Sequence, residues 1–243
     1  MTVYGIVSDL HLEFRDMKET MIMSKKLRDA LTKCDYLLIA GDIHQGFASR
    51  QYFLESFAKE SKDSKRVIHI LGNHDFYQGE WENTPVLRHR SANVIGHTLW
   101  TNFENDNPMC KLAAMRYIND FKCIFSRRGD ALITPNEMIL ANSMAMNSIL
   151  ASDLEVVLTH FPPTRDGNTL ERYKANVDGL NGYFMNSFEE KIINSDKKLW
   201  VFGHIHSVWD YMVGNCRMVS NPLGYPNEIY QTIDDYEVKF VTV

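Results

Sequence analysis

Residues 66–75 read RVIHILGNHD. The run up to Leu71 has the length and the β-branched content of a buried strand, and it stops at a glycine followed by three polar residues. The same plan occurs twice upstream. VYGIVS (3–8) ends in DLH, and YLLIAGD (36–42) ends in Gly-Asp. Helical segments separate these runs. Residues 17–33 carry Met17, Met21, Leu27 and Leu31 among charges, and RQYFLESFAKES spans 50–61. A β-α-β-α-β order with short connections predicts a parallel sheet. Its crossovers are right-handed, so the three strand C-termini open on one edge, where open α/β sheets bind their ligands.

Further along, ANVIGHTLWTNF (92–103) reads as a hairpin or paired strands, and residues 108–118 and 136–151 read as helices. Thr134, Pro135 and Glu137 make a helix start, with Thr134 as the cap. EVVLTHFPP (155–163) is another buried strand, ending in His160. KLWVFGHIH (198–206) is the next, ending in His204 and His206. VWDYMVGN, CRMVSN and YEVKFVTV read as antiparallel strands closing a second sheet. The polar segment 164–184 is too long for a tight turn, and together with 104–130 it is expected to shape specificity. With no repeat, low-complexity tract or linker, one domain over residues 1–243 is expected.

The 243 residues are 44% hydrophobic and 23% charged, enough for a sizeable core, and the net charge is -5. No basic block advertises binding to a nucleic-acid backbone. A small phosphorylated ligand remains compatible, because a metal site supplies positive charge locally. The four cysteines are scattered without a CxxC pair, which predicts free thiols in a reducing compartment. No basic leader and no membrane-length apolar run is seen, so a soluble, cytoplasmic protein is expected.

Chemistry-bearing residues collect at five strand ends: Asp9 and His11, Asp42, Asn73 and His74, His160, and His204 with His206. Each alone has an ordinary reading. Asp9 could cap a turn, Asn73 sits in a common Gly-Asn turn pair, and a histidine before two prolines is commonly structural. Their joint placement at strand C-termini is what those readings leave unexplained. If the chain there is extended, residues i and i+2 face one side, so Asp9 with His11 and His204 with His206 would each share a cavity. Oxygen and imidazole donors without thiolate favour Mn, Fe, Ni or Zn in an open site over a closed structural zinc site. Two such ions bridged by a carboxylate are a device for in-line attack at phosphorus.

The order Asp-x-His, Gly-Asp, Gly-Asn-His-Asp, His, Gly-His-x-His, running from Asp9 to His206, resembles the calcineurin-like metallophosphoesterases. NPLGYPNE (221–228) and HTLWTNF (97–103) further resemble a small bacterial and phage branch. The resemblance implies an α/β fold, a four-layer α/β/β/α sandwich, and a phosphoesterase with two divalent metal ions, manganese favoured for activity. It implies one ion on Asp9, His11, Asp42 and His206, the other on Asp42, Asn73, His160 and His204, and a hydroxide between them as nucleophile. His74 is then the non-ligand histidine and candidate general acid. The residues after Gly-Asp, IHQG, lack the acidic residue of the protein phosphatases, which argues against a protein substrate. A phosphodiester of a nucleotide or small molecule leads; a monoester, a nuclease substrate and a non-catalytic metal-binding scaffold are the alternatives. Asp75 is a possible partner for His74, and Asp210 and Asn221 are possible acceptors for the distal nitrogens of His204 and His206. His44 and Arg116 read either as substrate contacts or as surface residues, and Tyr225 as a pocket wall or a packing residue. His69, His89 and His97 read as structural, and the methionines of 138–146 as core.

Overall fold

The fold is described from a computed structural model covering residues 1–61, 64–77, 86–126, 131–165 and 179–243. Three parallel strands, β1 (Val3–Val7), β2 (Tyr36–Ala40) and β3 (Val67–Ile70), are joined by helices α1 (Met17–Leu31) and α2 (Phe47–Ser61). Strand β10 (Lys239–Thr242) pairs antiparallel with β1 and completes a four-stranded sheet. The second sheet has the order β4-β5-β6-β7-β9-β8. In it β5 (Val94–His97), β6 (Val156–Thr159), β7 (Leu199–Phe202) and β9 (Cys216–Ser220) are parallel, with β4 (Leu87–His89) and β8 (Trp209–Val213) antiparallel at the edges.

Alternation along the strands explains the layering, because successive side chains point to opposite faces. Ile6, Leu38 and Ile70 meet Val94, Leu158 and Val201 between the two sheets. Their neighbours Val7, Leu37 and Ile39 face outward onto Met23 and Leu27 of α1 and Phe53 of α2. On the far side, Val157, Trp200 and Met218 pack against Met138, Ala145 and Met146 of the helix Pro135–Leu150. Two mixed sheets back to back with helices on both outer faces is the layered α/β arrangement expected from the resemblance.

The helix start at Thr134 forms as read. Thr134 Oγ1 accepts from the Glu137 backbone N–H at 3.3 Å, and Glu137 accepts from the Thr134 N–H at 2.8 Å. Two readings change. Within 92–103 only Val94–His97 is a strand. Leu99 and Trp100 have φ of 69° and 53°, outside the β region, so the chain leaves the sheet there. The carbonyls freed from the ladder accept from Asn142 Nδ2 at 3.0 and 3.3 Å. The C-terminal strand also does not close the second sheet. It joins β1 in the first, burying Val241 between the layers.

All four cysteines are free. No helix among the described residues is long and apolar enough to cross a membrane.

Candidate metal centre

The C-terminal ends of β1, β2, β3, β6 and β7 converge, and each delivers the residues singled out in the sequence. The backbone there is not extended, as the i, i+2 argument supposed. Asp9, His11, Asp42, His204 and His206 all have φ between 44° and 73°. Such left-handed non-glycine residues cost roughly 1–2 kcal/mol each and cluster at functional sites. The pairs Asp9/His11 and His204/His206 share a cavity because the chain turns at each of them. Close approach also needs glycine. A Cβ on Gly72 would lie 2.1 Å from Asp42 Oδ1, and one on Gly203 would lie 2.6 Å from Asp9 Oδ2.

Two groups of donor atoms result. In the first, His11 Nε2 and His206 Nε2 are 3.0 Å apart, with Asp9 Oδ1 at 3.5 Å from His206 and Asp42 Oδ2 at 3.6 Å from His11. In the second, Asn73 Oδ1 lies 2.9 Å from His160 Nε2 and 3.2 Å from His204 Nδ1, and Asp42 Oδ2 is 3.3 Å from His160. Asp42 Oδ2 therefore borders both groups.

The hydrogen bonds behind these atoms fix which lone pairs face inward. His11 Nδ1 donates to Glu13 Oε1 at 3.0 Å, His206 Nδ1 to Glu228 Oε2 at 2.6 Å, and His160 Nδ1 to the Ala40 carbonyl at 2.8 Å. In the neutral imidazoles the inner nitrogens are then acceptors facing acceptors. Asp9 Oδ2 is buried without a hydrogen-bond partner among the described residues. The site calls for positive charge at its centre. Burial works against charging these imidazoles, yet Asp42 carries His160 up to about 9, and Asp9 and Glu228 carry His206 up to about 10. Burial likewise opposes ionisation of Asp9, but His206 holds it at about 2. The oxygen and nitrogen donor set, the convergence of its ligand atoms and the unpartnered carboxylate oxygen fit a pair of divalent cations.

The acceptors foreseen for the distal nitrogens are elsewhere. Asp210 pairs with Arg217 and Lys239, and Asn221 Nδ2 donates to the Ile6 carbonyl. Glu228 serves His206 instead. His204 Nε2 has no hydrogen-bond partner among the described residues, its ring stacking on Phe161 at 3.9 Å.

His74 lies beside the first group, and its partner is also not the expected one. Asp75 faces away: its Oδ2 accepts from the Asp42 and Gly72 N–H groups, and Arg50 lies 3.4 Å from its Oδ1. Glu13 Oε1 lies 3.2 Å from His74 Nδ1, and Tyr225 Oη lies 3.2 Å from its Nε2. Burial would lower the pKa of His74, but Asp42 and Glu13 raise it. Glu13, two residues beyond His11, thus supports both imidazoles. Burial disfavours its charge, and the hydrogen bonds from His11 and His74 hold it down at about 2. Only its place in the turn after DLH could have flagged it in the sequence. Asp120 was also missed. It is buried and accepts from Asn73 Nδ2 at 2.9 Å.

A cleft of ≈ 300 Å³ opens onto the site, with Tyr77, Tyr117, Tyr183, Phe184 and Tyr225 among its walls. Tyr225 is therefore a wall. His44 bonds the Gln45 carbonyl and lines a separate groove between α1 and α2. Arg116 is exposed, its guanidinium 5.2 Å from the Tyr117 ring, and does not line the cleft. His89 Nδ1 accepts from the Ala92 N–H, and buried His97 Nδ1 from the Leu99 N–H, both structural. Residues 166–178 of the segment expected to shape specificity lie outside the described residues. From 104–130, Tyr117–Asp120 reach the cleft.

Known proteins resemble this chain in sequence and in fold. An uncharacterised protein of Acanthamoeba polyphaga mimivirus is 24% identical over 266 residues, covering 94% of this chain and 93% of its own length. The crystal structure of phosphopantetheinyl hydrolase from Mycobacterium tuberculosis shares the fold, with a TM-score of 0.67 at 14% identity over 98% of this chain and 95% of that one. The sequence profile of the calcineurin-like phosphoesterases matches residues 3–208. With that match over most of its length, the chain belongs to the calcineurin-like phosphoesterase family, hydrolases of phosphate esters that use dimetal centres.

Proposed function

We propose that the chain is a dinuclear metal-dependent phosphodiesterase acting on a nucleotide or another small diester. The observation that carries this reading is the convergence of potential ligand atoms around the Asp42 carboxylate, His11 Nε2 with His206 Nε2 at 3.0 Å and His160 Nε2 with Asn73 Oδ1 at 2.9 Å. Asp9, His11, Asp42 and His206 would hold one divalent ion, and Asp42, Asn73, His160 and His204 the other. Mn, Fe, Ni and Zn suit these donors, with manganese favoured for activity. When bound, such a pair neutralises the phosphoryl oxygens and activates water for in-line attack.

The protein's own groups supply the rest. His74 is the proton donor to the leaving group. Its Nδ1 faces Glu13, so the proton it can give sits on Nε2, beside the Tyr225 hydroxyl. Glu13 orients the ring and stabilises its charged form. Preference for a diester is supported by the cleft walls. A diester has one ionisable oxygen fewer than a monoester and a second organic substituent. Five aromatic side chains offer that substituent a surface, and no Lys or Arg stands among the described lining residues to hold a second charge.

Turnover of bis(p-nitrophenyl) phosphate against p-nitrophenyl phosphate, with Mn²⁺ and with chelator, tests the reading. The diester is expected to turn over faster, and activity to vanish with chelator and in Asp42→Asn. Monoester preference would replace the diester reading with a phosphomonoesterase. Turnover that survives chelation would overturn the metal reading. Two bound Mn²⁺ ions with neither ester hydrolysed would favour the non-catalytic scaffold.

A further inference from the structure

Asp120 has none of its surface exposed, yet it is not idle. Its Oδ1 accepts from Asn73 Nδ2 at 2.9 Å and from the Tyr77 hydroxyl at 2.8 Å, and its Oδ2 accepts from the Tyr183 hydroxyl. These residues come from separate parts of the chain: the turn after β3, the short helix Asp120–Cys123 and the short helix Asn181–Phe184.

The arrangement solves a problem of symmetry. The two ends of an asparagine amide have nearly the same shape and opposite hydrogen-bonding character. Turned over, Asn73 would present an N–H₂ donor to His160 Nε2 and His204 Nδ1 in place of an oxygen. A carboxylate accepts only, so Asp120 allows one orientation. Two tyrosine hydroxyls pin that carboxylate, leaving it no freedom to swing away. The same anchor reaches the cleft, because Ile118 and Asn119 directly precede Asp120, Phe184 follows Tyr183, and all of them line it.

The geometry points to Asp120 as a positioning residue for the second metal ion, holding the Asn73 amide with Oδ1 toward His160 and His204. This rests on the dinuclear reading above. Asp120 acts through Asn73, so its removal changes occupancy of one ion and spares the other. Partners behind metal ligands are worth roughly 10–100-fold in affinity.

The test is a substrate-free Mn²⁺ titration of the full chain by calorimetry, with electron paramagnetic resonance to separate a coupled pair from a single ion. Wild type is expected to bind two ions with a coupled signal. Asp120→Asn is expected to keep the first ion at wild-type affinity, weaken the second roughly 10–100-fold, and show an isolated-ion signal at low loading. Asn73→Asp alone sets two carboxylates against each other and should also lose the second ion. Combining Asn73→Asp with Asp120→Asn exchanges donor and acceptor and should restore that ion to within about tenfold of wild type. This swap decides the matter if Asp120→Asn alone does not fold. A folded Asp120→Asn that binds both ions as wild type does, or weakens both equally, overturns the inference. So does a swap without recovery. A wild type binding a single ion instead overturns the dinuclear reading, and this inference with it.

Discussion

Glu13 sits between two imidazoles with different tasks. Its Oε1 is 3.0 Å from His11 Nδ1 and 3.2 Å from His74 Nδ1, and its Oε2 accepts from the Gln45 N–H at 3.1 Å. In the proposed reaction, protonation of a leaving group matters little for a stable phenolate and greatly for an alkoxide. Glu13→Gln keeps an acceptor but removes the charge behind His74. Turnover of an alkyl diester is expected to fall by roughly 10²-fold, against less than about 10-fold for the p-nitrophenyl diester, because general acid catalysis is worth about 10²–10⁴. Steady-state rates across esters of graded leaving-group acidity check this, and a uniform loss would reduce Glu13 to a support for His11. That Asp9, Asp42 and the histidines gather in one place was legible because they stand at the ends of strands that open on one edge. Glu13 and Asp120 were not, because a lone acidic residue in a turn or a short helix carries no pattern.

The elements whose signals are local formed as the sequence predicts. The capping box at Thr134 and Glu137 starts the helix Pro135–Leu150, whose Met138 and Met146 are buried while Met144 is half exposed. Thr134→Ala is expected to cost about 1 kcal/mol. Thermal unfolding should show a midpoint lower by about 2–4 °C, with kcat/KM for the diester unchanged, since this cap lies outside the site. A large loss of activity would mean that the helix start shapes the cleft. Elements that depend on distant partners were less legible. HTLWTNF has the apolar content of a strand, but left-handed turns at Leu99 and Trp100 divert it toward Asn142. YEVKFVTV was readable as a strand, whereas its sheet was set by a vacant edge beside β1.

At the scale of the whole molecule, two sheets share one apolar layer, and a charge buried near them is costly. His69 of β3 is the case in point. Its Nδ1 is buried without a hydrogen-bond partner among the described residues, and burial, with the charge of Arg50 adding to it, pushes its pKa from 6.5 down to about 4. The unfolded chain takes up a proton below 6.5 that the folded chain refuses until about 4, so this residue's contribution to stability is lost progressively across that interval. Urea unfolding at about pH 7 and about pH 4.5 should show wild type losing at least about 1 kcal/mol more than His69→Gln. Equal losses would place His69 in a solvated setting. The sequence by itself determined the alternation of strands and helices, the donor types at each strand end and their order. These follow from hydrophobic periodicity and from the chemistry of single side chains. Only the tertiary structure decided which nitrogen of each histidine faces inward, that the paired residues meet through left-handed turns, and that Glu13, Glu228 and Asp120 stand behind them. Those contacts join positions up to 195 residues apart, as between His11 and His206, and depend on how two sheets stack, which no local pattern encodes.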